Sequence, residues 1–209
     1  MKLYVLPAGP LQTNAYLITA PERGEAVLID APGGIWPLVE PRLAADGCKL
    51  TELWITHGHW DHIQDAAVVV EATKARVTAH AADEVLLKSP GVMMKFLGRN
   101  FRIDPVAVDR WVAQGDEIQA LGLTFEVRHV PGHCPGNILF HVGSSAFVGD
   151  ALFAGSIGRT DLPGGDRAAL EDSVRKQIYT LPDETKVYPG HGPATTVGHE
   201  RANNPYVRG

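Results

Sequence analysis

Cysteine is scarce in this chain: Cys48 and Cys134 are the only two in 209 residues, and neither belongs to a Cys-x-x-Cys pair. That argues against a disulfide scaffold and a thiolate zinc cage, so any bound metal must use nitrogen and oxygen ligands. Long apolar runs are missing too. The opening MKLYVLPAG has one lysine and few apolar residues before Pro7, too short for a signal-peptide core. No stretch approaches the ~18 apolar residues of a membrane span. The expectation is a cytoplasmic protein with no membrane partner. Basic side chains number 19 against 24 acidic, a formal charge of -5, and no Lys/Arg run could track a phosphate backbone, so nucleic acid is not an expected partner. A Gly-x-Ser-x-Gly nucleophile elbow is also absent.

What is present is an ordinary globular composition, 44% hydrophobic and 21% charged, with 22 Gly and 15 Pro to supply tight turns. A chain of this length buries roughly 70% of its unfolded surface, so a single domain over 1–209 is expected.

KLYVLP, NAYLIT and EAVLID read as three strands, with PERG as the turn between the last two. WPLVEPRLAADG spaces Leu38, Val39 and Leu43 as a helix ending at Gly47. LTELWIT is a buried strand, DHIQDAAVVVEATKA one helix, and RVTAH the next strand. The stretch from Ala82 to Pro105 starts as a helix, is broken at glycine, and clusters Met93, Met94, Phe96, Leu97 and Phe101, which suit core packing or an apolar wall for a ligand. Farther on, LTFEVRHV, NILFHV, SAFVGD and TKVYPG are strands and DRAALEDSVRKQIYTL is an amphipathic helix. Two β-rich halves, each followed by helices, imply two sheets with helices outside.

The chemistry concentrates in THGHWDH, residues 56–62, which holds three of the nine histidines. On an extended segment alternate residues point the same way, so His57 and His59 can share one side, with Asp61 and His62 at the turn into the helix. Two imidazoles with oxygen ligands suit zinc, iron or manganese, but they need partners from elsewhere. His133 in HVPGHCPGN, Asp150 in FVGDALF and His191 in VYPGHGP each follow a strand and sit beside glycine. Metal-bound imidazoles usually donate their second nitrogen to a carboxylate or carbonyl. Asp30, ending AVLID, and Asp161, in GRTD, are the acids best placed for that, and Arg159 could meet an anionic substrate. Cys134, beside His133, and His80, His129 and His141 read as packing or ordinary strand residues; His199 is expected to tie down the C-terminal tail.

THGHWDH, PGHCPG, GDALF and YPGHGP, in this order, resemble the HxHxDH signature and downstream ligands of the metallo-β-lactamase superfamily. AGSIGRTDLPGGD and PGHGPATTVGHERANNPY resemble its short bacterial glyoxalase II-like hydrolases. The resemblance implies an α+β four-layer αββα sandwich with the site at the sheet edge. It implies two divalent ions, zinc foremost with iron or manganese as alternatives. His57, His59 and His133 would hold one, Asp61, His62 and His191 the other, and Asp150 would bridge them. The implied activity is that of a binuclear hydrolase, with Asp61 and Asp150 in the catalytic machinery. A hydroxide shared by two cations roughly 3.5–4 Å apart would cleave a small hydroxyacyl-glutathione-like thioester. The same superfamily includes mono-iron persulfide dioxygenases, for which His57, His133 and Asp150 would be the triad, and hydrolases of lactones and other esters or amides. This chain departs from the glyoxalase II-like pattern at Asn137, where many relatives carry a His or similar residue after the PGH motif.

Overall fold

The computed structural model describes residues 1–97 and 103–209, with 95–97 described through their backbone only. The described chain divides into two compact units, one of Met1–Trp111 with Ala120–Gly122, the other of Val112–Gln119 with Leu123–Gly209.

In the first unit the sheet begins as an antiparallel meander of β1 (Lys2–Ala8), β2 (Thr13–Ala20) and β3 (Glu25–Ile29). The PERG turn closes as expected, through Arg23 N–H to Ala20 O (2.9 Å) and Gly24 N–H to Pro21 O (3.2 Å). The chain then switches to parallel pairing, which requires crossovers. α1 (Trp36–Asp46) leads from β3 to β4 (Lys49–Trp54), and α2 (Trp60–Ile63) with α3 (Ala66–Thr73) leads to β5 (Arg76–His80). α4 (Glu84–Lys88), α5 (Gly91–Leu97) and a sixth strand, β6 (Arg110–Val112, its last residue assigned to the second unit), follow, and the sheet order is β1-β2-β3-β4-β5-β6. α1 ends where the sequence places its stop: Gly47 has φ 64°, a left-handed cap that costs glycine little. Leu17, Leu28, Leu53, Ile55, Ile35, Val39 and Val69 form a core between sheet and helices. Met93 is buried in that core and Met94 packs against it, which favours the packing role over a ligand wall for these two. The side chains of Phe96 and Leu97, and all of Phe101, lie outside the described residues.

The single helix expected from Asp61 onward is two helices. The His62 carbonyl accepts from Ala31 N–H (2.7 Å) and Asp65 N–H donates to Ala31 O (2.9 Å). Both groups are thereby diverted from the helical ladder to the loop after β3. The Asp65 carboxylate holds the same loop, accepting from Gly34 N–H at 2.7 Å and Ile35 N–H at 3.2 Å. Hydrophobic periodicity carries no sign of this break, because α2 and α3 keep their apolar faces.

The second unit contains β7 (Glu117–Ala120, its last residue assigned to the first unit), β8 (Leu123–His129), β9 (Ile138–Val142), β10 (Ser145–Gly149), a small hairpin of β11 (Leu152–Phe153) and β12 (Ser156–Ile157), then α6 (Arg167–Ser173), β13 (Lys186–Pro189), β14 (Thr195–Thr196) and α7 (Val197–Asn203). Its sheet has the order β14-β13-β10-β9-β8-β7, with β10 and β13 parallel. The amphipathic helix expected over 166–181 is α6 continued by a wider π turn over Val174–Ile178. Leu139, Val148, Leu170, Val174, Ile178 and Val187 form this unit's core. No helix among the described residues is long and apolar enough to cross a membrane.

Candidate metal centre

The parallel strands β3, β4 and β5 deliver the chemistry of the first unit at their C-terminal ends, where open α/β sheets present ligands. Asp30 follows β3 and is buried with φ 62°, a conformation a non-glycine residue adopts at a cost. Its backbone N–H donates to Trp54 O (2.8 Å), fixing it beside the end of β4. Its carboxylate then collects three donors. Oδ1 accepts from Thr56 N–H at 2.8 Å, and Oδ2 accepts from the Thr56 hydroxyl at 2.7 Å and from His62 Nδ1 at 2.8 Å. Because Thr56 spends its proton on Asp30, its oxygen is left to accept from His57 Nδ1–H at 3.1 Å. One carboxylate therefore sets the tautomer of two histidines and leaves Nε2 of each with the lone pair a metal requires. The rings cluster accordingly: the His57 centroid lies 4.0 Å from that of His62 and 4.7 Å from that of His59. Asp61 is oriented by Thr13, whose hydroxyl donates to its Oδ2 at 2.8 Å, and the same oxygen lies 3.6 Å from His62 Nε2.

In the second unit Asp150 and His191 follow the parallel neighbours β10 and β13, and His133 follows β8. Asp150 Oδ2 lies 3.6 Å from His133 Nε2 and 3.4 Å from His191 Nε2. His133 Nδ1 donates to the Arg159 carbonyl at 2.8 Å, so its Nε2 again carries the lone pair. That carbonyl comes close because the preceding residue is glycine: a Cβ at Gly158 would lie 1.9 Å from the Asp150 carbonyl oxygen and 2.9 Å from His133 Nδ1. Phe153 packs edge-on to His191, with centroids 6.1 Å apart.

Three groups of side chains have the donor types to hold an ion: His57, His59 and His133; Asp61, His62 and His191; and His57, His62 and Asp150. The first two are the sets expected for two ions, and the third ties Asp150 to one histidine of each. The donors are imidazole nitrogen and carboxylate oxygen, a set that suits borderline divalent cations, and the hydrogen bonds from Nδ1 of His57, His62 and His133 leave the right nitrogen facing inward. The residues fit a pair of such ions.

Of the three supporting candidates, Asp30 meets a candidate ligand directly. Asp161 instead forms a two-pronged pair with the exposed guanidinium of Arg159 (2.7 Å each), which holds its carboxyl down to about 2; Arg159 reaches His133 through its backbone carbonyl. The remaining histidines have structural partners. His80 caps a helical turn by accepting from Ala82 N–H, His129 bonds Pro135 O, and His141 lies 3.4 Å from Glu126. The tail is fastened by side chains other than that of His199: Glu200 accepts from Gly155 N–H, the Thr195 hydroxyl and Asn204, while His199 supplies its backbone N–H to the Thr196 cap. Cys134 is fully buried, as its packing role requires. Thr56 was visible in the motif without its role being apparent, and Thr13 and the Arg159 carbonyl carried no signal in spacing.

This centre defines a metallohydrolase with a His-rich site for two ions, and a model of the metallo-beta-lactamase superfamily matches residues 8–199; the chain belongs to that superfamily. Its fold is the metallo-β-lactamase fold, with two mixed sheets and flanking helices. Among its relatives, hydroxyacylglutathione hydrolase GloC of Haemophilus influenzae is 36% identical over 99% of this chain and 98% of its own length. The crystal structure of the BLEG-1 B3 metallo-beta-lactamase superposes with a TM-score of 0.91 at 34% identity, covering all of both chains. That of TTHA1623 in a di-iron-bound form gives 0.85 at 37% identity, covering 98% of this chain and all of the other.

Proposed function

We propose that this protein is a binuclear metal-dependent thioesterase that hydrolyses small hydroxyacyl-glutathione-like thioesters. The observation that carries the reading is its 36% identity, over nearly the full length of both chains, to a protein named hydroxyacylglutathione hydrolase. Two divalent cations held by His57, His59 and His133 and by Asp61, His62 and His191 would polarise the thioester carbonyl and bring the pKa of a water into the neutral range. The ion is zinc in the first instance, with iron supported by the di-iron form of TTHA1623.

The chain's own residues do the positioning. Asp30 and the Arg159 carbonyl hold the three imidazoles with Nε2 inward, Thr13 fixes the Asp61 carboxylate, and Asp150 stands within reach of both His133 and His191. A thiolate leaving group, with a pKa near 8–9, departs without a strong general acid.

The test is turnover of S-lactoylglutathione by protein loaded with zinc or iron. Hydrolysis that disappears in Asp150→Ala supports the reading; no turnover by a fully loaded protein with two bound ions overturns it. A second reading, hydrolysis of cyclic amides, is favoured by the likeness to BLEG-1 and would displace the first if a chromogenic β-lactam were turned over faster than the thioester. The persulfide dioxygenase alternative predicts oxygen uptake with glutathione persulfide.

A further inference from the structure

The motif loop after β4 is gripped from two sides. Asp30, after neighbouring β3, takes Thr56 and His62. On the opposite side, β5 ends at His80 and turns through Ala81–Asp83 to put a second carboxylate against the same loop: Asp83 Oδ2 accepts from Gly58 N–H at 2.7 Å. Asp83 is 2% exposed, so its bond to that amide is made out of water, where losing the acceptor would leave the Gly58 N–H unsatisfied at a cost. The turn that delivers it is set by His80, whose Nδ1 accepts from Ala82 N–H at 3.2 Å. Gly58 has no room for a side chain: a Cβ there would lie 2.8 Å from Leu86 Cβ, in α4, and 3.2 Å from Asp83 Cβ, just before that helix.

Gly58 is the residue between His57 and His59, and its backbone orientation fixes the relative direction of those two side chains. We propose that Asp83 is a positioning residue for the metal centre, acting through the Gly58 amide to hold His57 and His59 in the geometry that binds one ion, as Asp30 does through Thr56 and His62. The inference rests on the metal-centre reading above. It assigns Asp83 no contact with ion or substrate. The requirement it places on Asp83 is a hydrogen-bond acceptor at one place, not a charge.

Full-length protein stripped by chelation is titrated with Zn2+ against a chromophoric competitor, giving two stepwise affinities. In Asp83→Ala one step weakens about ten- to a hundredfold, the range for lost supporting bonds to metal-bound histidines, and the other stays within about threefold. Asp83→Asn, which keeps an acceptor oxygen, restores the weakened step to within about threefold of the unaltered protein. Asp83→Glu, which keeps the charge but displaces the oxygens by one methylene, shows the same one-step loss as alanine and replaces it should the alanine variant fail to fold. Val39→Ala, a core truncation in α1, lowers the melting temperature and leaves both steps in place. Unchanged affinities in both Asp83→Ala and Asp83→Glu, or equal weakening of both steps, overturn the proposal. So does an asparagine variant as weak as alanine. If the unaltered protein binds no zinc, the metal-centre reading fails and this inference with it; if it binds two ions and the Asp83 variants do likewise, this inference fails alone.

Discussion

Asp30 Oδ2 lies 2.8 Å from His62 Nδ1, and the same oxygen accepts the Thr56 hydroxyl that in turn takes the His57 ring proton. A single buried carboxylate therefore governs one candidate ligand from each of the two ion sites. Removing it leaves the Thr56 amide and hydroxyl and the His62 ring with donors unsatisfied in the interior, at about 1–3 kcal/mol for each group. Asp30→Ala is expected to lower the affinity for both ions by about ten- to a hundredfold and to lower the melting temperature of the metal-free protein as well. A zinc competition titration alongside a thermal melt checks both parts. Loss of only one ion would show that the link from Asp30 to His57 through Thr56 is not functional.

Gly158 gives a steric test in the second unit. A Cβ there would lie 1.9 Å from the carbonyl oxygen of Asp150, far inside van der Waals contact, and backbone cannot yield as a flexible side chain does. Gly158→Ala is expected to push the Ile157–Arg159 segment away and break the 2.8 Å bond between His133 and the Arg159 carbonyl. The expected outcome is loss of at least tenfold in kcat/KM with the far-UV circular dichroism unchanged. Arg159→Ala keeps the carbonyl and is expected to retain the bond, so the pair separates backbone support from any work of the guanidinium. Equal losses in the two variants would refute that division.

Legibility in the sequence followed the distance over which each feature is encoded. The ligand sets could be read because four of seven side chains fall within residues 57–62 and the other three are histidine or aspartate beside glycine at strand ends. Strands β1 to β5 and helix α1 carry enough apolar residues to show their period. β11, β12 and β14 have two residues each, too few for an alternation to exist, and their pairing is decided by the neighbouring strand. The break between α2 and α3 comes from hydrogen bonds of His62 and Asp65 to Ala31, far earlier in the chain, which no local window contains. The supporting shell was the hardest part: Arg159 acts through a carbonyl that every residue type has, and Asp83 is one of many acids, distinguished only once β5 is seen to lie beside β4.

A separate carboxylate cluster predicts a response to acid. Asp46, at the end of α1, accepts from Lys2, from the Thr19 hydroxyl at 2.6 Å and from the Tyr4 hydroxyl at 2.9 Å, joining β1 and β2 to the helix. The Lys2 bond first, then that of Thr19, holds its carboxyl down to about 2, below the ordinary value of 3.8. A group whose folded pKa is depressed binds its proton more readily when unfolded, so its contribution to stability is complete above about 4 and is lost as pH falls through about 2. Asp46→Asn is therefore expected to melt below the unaltered protein at pH 6, with the gap closing between pH 4 and 2. A gap that stays constant over that window would mean the cluster's ionisation does not contribute.

Metal removal should separate folding from function. The core of the first unit is built on Leu28, Leu53, Ile55 and Val39, and that of the second on Leu139, Val148, Leu170 and Val187, apolar side chains rather than candidate metal ligands. That contrasts with small zinc domains, whose folding free energy is the metal's. Chelated protein is therefore expected to keep its far-UV circular dichroism and a cooperative melt. The bound ions still stabilise the folded state by mass action, by about 4 kcal/mol for one site at a free metal concentration of about a thousand times Kd. For a chain of this size that corresponds to a rise of roughly 8–16 °C in melting temperature on reloading, if the binding persists at the melting point. His191, with its side chain 27% exposed, belongs to the more accessible of the two candidate sets, whereas His57, His59 and His133 are all buried. During chelation the ion of the Asp61, His62 and His191 set should leave first, and a two-phase loss of metal, with half released early, is the expected time course. Release of both ions in a single phase would show that the two sets empty together.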